Sequence, residues 1–195
     1  MRNWIDIIEE GSSVTARNIP DLAAQEAWDN LIMNTGENEG ELSDFVADYE
    51  DETDRDIEFP PGVNPHERYA ELKDERFVTW LRKRVCDEAR QIGKEIASAI
   101  TGNYIRCWRA MTAPPNWQPT PDMDFGDHWS YTRDQAIAHF GDESQPCWII
   151  EALIPLSSVD WRDTLRLNLS REFGDENEIR KIEGSPVKIV KIKKN

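Results

Sequence analysis

The stretch TGNYIRCWRAM, residues 101–111, decides the fold class. Before it, apolar residues recur every three or four positions. From it onward they come in short runs cut by Pro, Asp, Asn and Gly. Tyr104 to Met111 therefore reads as a first strand, entered from a helix that stops at Gly102. Working backwards, Phe77, Leu81, Val85, Ala89, Ile92, Ile96 and Ile100 fall on one stripe and predict a long amphipathic helix from Glu67 to Ile100. Gly93 within it marks a close packing contact or a break. Pro60, Pro61, Gly62 and Pro65 mark a boundary. Leu22, Ala23, Ala27 and Leu31 predict an earlier helix, with Pro20-Asp21 at its start, and Trp4, Ile5, Ile7 and Ile8 a short amphipathic turn. Working forwards, strands are expected at His128–Thr132, Cys147–Leu156, Leu165–Leu169, Glu176–Ile182 and Val187–Ile192, with a short helix at Asp134–Phe140. Glu183-Gly184-Ser185-Pro186 joins the last two strands as a turn. Helices first and strands afterwards make an α+β arrangement.

At 195 residues the chain is sized for one domain, or one domain with an appendage. Residues 1–62 are read as a helical, acidic extension and 63–195 as the main domain. No apolar run is long enough to span a bilayer. The acids of MRNWIDIIEE stand where a signal peptide would be apolar, so a cytoplasmic location is expected. Cys86, Cys107 and Cys147 have no CxxC spacing and read as free thiols. The net charge of −15 disfavours generic nucleic-acid binding. Eleven acids lie between Glu37 and Glu58, opposed only by Arg55, so that window alone carries −10. It reads as a solvated, self-repelling segment; the sharper alternative is a non-enzymatic polyanion that occupies a partner's basic surface.

Phosphate-loop, dinucleotide, zinc-protease and nucleophile-elbow motifs are all missing from the sequence. His66, His128 and His139 have no metal-ligand spacing. Three other groupings carry possible chemistry. In Glu176-Asn177-Glu178, strand alternation would set both carboxylates on one face about 7 Å apart, one facing a cation while the other handles a proton. Arg109, amid Tyr104, Ile105, Cys107, Trp108 and Met111, needs an anion such as a phosphate, or a structural ion pair. Arg106 falls on the opposite face. In His128-Trp129-Ser130-Tyr131-Thr132, Ser130 and Thr132 share a face, where hydroxyls can hold a carboxylate or a ribose.

The order of these groups, Arg, then aromatic-Ser-x-Thr, then Glu-x-Glu, resembles the ADP-ribosyltransferase family in its Arg-Ser-Glu branch. The resemblance covers residues 102–195, with Tyr131 and Thr132 replacing the last two residues of the family's Ser-Thr-Ser. It implies a split two-sheet core, NAD as co-substrate, and a protein target whose identity it does not give, modified on arginine; a protein of this kind would act as an effector or toxin. NAD hydrolysis at the same site is the enzymatic alternative. On the resemblance, Arg109 binds a phosphate and ribose, and Ser130 hydrogen-bonds and orients Glu178. Glu178 grips the ribose 2′-hydroxyl and stabilises the oxocarbenium-like centre, and Glu176 aligns and deprotonates the acceptor. Thr132 belongs to the NAD-binding set. Trp108, Trp129 and Tyr131 either stack on nicotinamide or adenine or pack in the core. The acidic window, holding none of these residues, is expected to be dispensable for NAD cleavage.

Overall fold

A computed structural model describes residues 14–35, 38–112, 116–140, 147–169 and 177–194, the side chains of His139 and Phe140 aside. The described elements run α1 (Ile19–Met33), α2 (Glu39–Thr53), a 3-10 turn (Ala70–Lys73), α3 (Glu75–Ser98), β1 (Ile100–Thr101), β2 (Tyr104–Thr112), β3 (His128–Ser130), α4 (Arg133–Phe140), β4 (Cys147–Pro155), α5 (Trp161–Leu169), β5 (Glu178–Arg180) and β6 (Lys188–Lys194). The α+β class therefore holds. The predicted turn at Trp4–Ile8 lies outside the described residues.

The long helix begins at Glu75 rather than Glu67, because Asp74 caps it. Its carboxylate accepts the N–H groups of Arg76 at 2.8 Å and Phe77 at 3.0 Å, and that of Glu58 at 2.6 Å. Phe77, Leu81, Val85, Ala89 and Ile96 are buried along the predicted stripe. Gly93 is there because α1 crosses at that point: a Cβ on it would lie 2.6 Å from the Pro20 Cα.

The acidic window is the largest departure from expectation. Most of it is helix α2, and Leu42, Phe45 and Tyr49 are buried at helical spacing between the acids. They join Leu31, Phe77, Leu81 and Val85 in one cluster. The Tyr49 ring meets the edges of Phe77 and Trp80 at centroid distances of 5.4 and 5.5 Å. Three buried apolar side chains in fifteen residues outweigh the mutual repulsion, because the carboxylates lie toward the surface, where solvent screens them. The segment is not a loose loop, and removing it would strip a face of α3.

All six strands belong to one antiparallel sheet, in the order β5-β3-β2-β4-β6, with β1 beside β2. The two expected sheets are, among the described residues, one continuous sheet. β2 pairs with β4 along its whole length, from Tyr104↔Pro155 to Thr112↔Cys147, but meets β3 at the single pair Trp108↔Ser130. The β5–β3 pair thus hangs on the larger part by one register position. β5 and β6 lie at opposite edges, so the turn at Gly184 carries the chain across the sheet rather than closing a hairpin.

The strand expected at Leu165–Leu169 is instead part of α5. Trp161, Thr164, Leu165 and Asn168 are its buried residues, a three-then-one-then-three spacing that a strand cannot bury on one face. The helix covers the outer edge of β5. Thr164 Oγ1 accepts the Arg180 N–H at 3.0 Å, and Asn168 Nδ2 donates to the Glu178 carbonyl at 2.6 Å. Side chains thereby satisfy edge groups that a neighbouring strand would otherwise take.

One core joins Ile19, Leu22 and Ala23 of α1, Ala89 and Ile96 of α3, and Ile105, Cys107, Ile150, Ala152, Ile154 and Ile179 of the sheet. The division expected at residue 62 therefore does not coincide with a break in the core. Glu26 of α1 is buried and receives Arg166 Nε of α5 at 2.8 Å, a further tie across that line. Cys86, Cys107 and Cys147 are free thiols, and burial raises the Cys86 and Cys107 thiols above their ordinary range. Among the described residues, no helix is long and apolar enough to cross a membrane.

Candidate functional site

The sheet order sets the strands bearing Arg109, Ser130 and Glu178 side by side, as β2, β3 and β5. Ser130 stands directly opposite Glu178 on one side and opposite Trp108 on the other. By strand alternation Trp108, Ser130 and Glu178 share a face, whereas Arg109, opposite Ile150, starts from the core face. The Arg109 guanidinium still joins the neighbourhood, because a backbone carbonyl lies in the plane of the sheet. Its Nη1 donates to the His128 carbonyl at 2.9 Å. Its Nε is enclosed without a hydrogen-bond partner among the described residues. Burial lowers the Arg109 pKa, opposed by the nearby carboxylates of Asp127, Asp124 and Glu178. Gly126, with a φ of +78°, leaves room for this side chain: a Cβ there would come within 2.9 Å of Nη1.

Glu178 opens β5 with its side chain only 12% exposed. Its carboxylate Oε1 is held by Nδ1 of His128. Ser130 does not hold it: among the described hydrogen bonds, Ser130 Oγ donates to the Thr132 carbonyl at 2.9 Å and accepts the Thr132 N–H at 3.2 Å. The expected bond from Ser130 to Glu178 is replaced by one from His128. Sequence reading left His128 aside for want of metal-ligand spacing. The signal that finds it is period two, which puts His128 on the face of Ser130.

Glu176 lies outside the described residues. The alternation argument that paired it with Glu178 requires an extended residue between them, and Asn177 has a φ of 51°. The strand starts at Glu178, so the argument does not reach back through Asn177. A hydrogen-bonded lock holds that residue in place. The Tyr131 hydroxyl donates to Asn177 Oδ1 at 2.7 Å, Asn177 Nδ2 donates to Thr132 Oγ1 at 3.2 Å, and the Tyr131 N–H meets the Asn177 carbonyl at 2.8 Å. Burial, with Glu95 adding to it, pushes the Tyr131 phenol up to about 12. Thr132 lies past the end of β3, so its approach to Ser130 comes from the turn and not from shared strand alternation.

Of the aromatic candidates, Trp129 is in the core, with Nε1 donating to the Gly126 carbonyl at 3.0 Å. Trp108 is half-buried. Lys181 is buried against Asp127 Oδ1 at 3.2 Å, which fixes the loop ahead of β3 to the end of β5. Two surface grooves, one at Phe59, Pro60, Pro61 and Arg76 and the other at Thr79, Trp80 and Lys83, contain none of the sequence-predicted site residues. Compared with models of protein families, curated protein sequences and solved structures, the chain gives no match.

Proposed function

We propose that this protein is an NAD-dependent mono-ADP-ribosyltransferase acting on a protein target. The observation that carries the reading is the strand register: Ser130 opposite Glu178, with the Arg109 strand next in line. Residues 109, 130 and 178 are far apart in sequence, and the resemblance requires them on neighbouring strands. A sheet of this order supports that requirement. The one-pair junction between β2 and β3 is compatible with the family's split core.

In this reading the Arg109 guanidinium holds the dinucleotide's phosphate. NAD supplies the ADP-ribosyl group and the leaving nicotinamide. The Glu178 carboxylate, sheltered from solvent, faces the positive charge that develops on the ribose as the bond to nicotinamide breaks. A fixed carboxylate stabilises such charge without the reorganisation that water requires. The preference for arginine rests on Glu176 and the family's Glu-x-Glu pattern.

The experiment is to incubate the purified chain with NAD, with and without arginine-bearing acceptors, and to follow nicotinamide release by chromatography. Glu178→Gln, nearly isosteric and uncharged, is expected to lower release by about 10²-fold or more. A rate equal to the unaltered protein's removes Glu178 from the chemistry. Absence of release with every acceptor overturns the reading.

A further inference from the structure

We infer that His128 is the residue that positions Glu178, taking the orienting role that the family resemblance gives to Ser130. The inference rests on the reading of Glu178 as the cation-facing carboxylate. In the antiparallel β3–β5 pair, Ser130 stands opposite Glu178 and His128 opposite Arg180. His128 and Glu178 are therefore diagonal neighbours on one face, a separation that an imidazole can bridge. Nδ1 of His128 meets Oε1 of Glu178. An ionised carboxylate only accepts, so the hydrogen sits on Nδ1.

Ser130 has one hydroxyl hydrogen, and it goes to the Thr132 carbonyl. It has none left for Glu178 while that bond stands. The rest of Glu178 is fixed from the other side, since Asn168 of α5, itself buried, donates to its carbonyl at 2.6 Å. With the backbone held by α5, the freedom left to Glu178 is rotation of its side chain, and the His128 contact restrains that rotation. The His128 carbonyl separately accepts Arg109 Nη1 at 2.9 Å. Replacing the His128 side chain thus releases Glu178 while leaving the Arg109 anchor in place. The His128 side chain is 53% exposed, so its loss opens no cavity in the core.

The test compares four proteins in the nicotinamide-release assay. His128→Ala is expected to lower kcat by about 10–100-fold, the scale of a misplaced reacting group, with KM for NAD little changed. His128→Asn, whose side-chain N–H can replace Nδ1–H, is expected to recover most of that loss. His66→Ala, at an exposed imidazole outside the sheet, is expected to match the unaltered protein. A kcat in His128→Ala equal to that of the unaltered protein overturns the inference. So does failure of His128→Asn to exceed His128→Ala when both melt like the unaltered protein.

A second readout needs no activity. Ring-nitrogen NMR of labelled histidine, at a pH where the imidazole is neutral, should show hydrogen on Nδ1 of His128. That hydrogen should move to Nε2 in Glu178→Ala. Hydrogen on Nε2 in the unaltered protein overturns the inference whatever the activity. If the Nδ1 signature holds but no acceptor yields nicotinamide, the contact is supported and the transferase reading is what fails.

Discussion

Helix α2 and strand β5 are both entered through acid-rich sequence, and they use carboxylates in opposite ways. In α2 the acids lie toward the surface, some in exposed pairs such as Glu52 with Arg84 of α3, which contribute little to the fold. Leu42, Phe45 and Tyr49, set between them, bury against Phe77, Leu81 and Val85. In β5 the acid itself is sheltered: Glu178 is held by His128 through its side chain and by Asn168 through its carbonyl. Acid content is therefore a poor guide to either region. What separates them is exposure: surface ion pairs in one case, and in the other a sheltered carboxylate set against a fixed donor.

The largest expected effect breaks the helical side of that comparison. Phe45→Ala should destabilise the protein by about 3–5 kcal/mol in urea unfolding, as loss of a buried aromatic does. Asp51→Asn, on the exposed face of the same helix, should change stability by no more than about 0.5 kcal/mol. Equal effects would mean that charge, and not the apolar stripe, governs α2.

Next comes the cap that starts α3. Asp74→Ala should cost about 1–2 kcal/mol at pH 7. Burial alone would raise the Asp74 pKa, but the N–H groups of Phe77, Glu58 and Arg76, with the charge of Arg76, outweigh it and hold it below its ordinary value. A depressed folded-state pKa stabilises above the unfolded-state value, and that contribution is lost as pH falls through the folded-state value. The gap between the unaltered protein and Asp74→Ala should therefore shrink in acid. A gap that stays constant down to pH 2 would show that the carboxylate charge is not what caps the helix.

The smallest effect sharpens the strand side. Tyr131→Phe removes the hydroxyl bond to Asn177 and should cost about 0.5–1.5 kcal/mol. Because the folded-state pKa of Tyr131 is raised to about 12, its contribution is full below the unfolded-state value near 10 and is lost as pH rises through about 12. The difference from Tyr131→Phe should narrow over that alkaline window. An unchanged difference across it would mean that the phenol's burial is not what sets its stability contribution.

Much of the architecture was legible from spacing alone. The α3 stripe and the β2 and β4 runs are local patterns, and each appears where apolar periodicity placed it. The helix, however, ends at Ser98, and Gly102 turns the chain between β1 and β2 rather than stopping the helix. The expectations that failed had ambiguous local cues. Leu165–Leu169 is apolar enough for a strand, and its helical nature shows only with Trp161 and Thr164 included. The acidic window was judged by its charge rather than by the positions of Leu42, Phe45 and Tyr49.

For the site, the sequence by itself supplied the residue types: an arginine in an apolar strand, a serine two positions after a histidine, and a glutamate at a strand start. It also supplied the helix-then-strand order that makes the fold α+β. Only the tertiary structure decided that β5 lies beside β3 while β6 lies at the far edge, that Asn177 turns the chain before Glu178, and that His128 rather than Ser130 meets that carboxylate. Alternation along one strand is a local property of the backbone, and a sequence displays it. Which strand lies alongside, and in what register, is settled by burial summed over residues far apart in the chain.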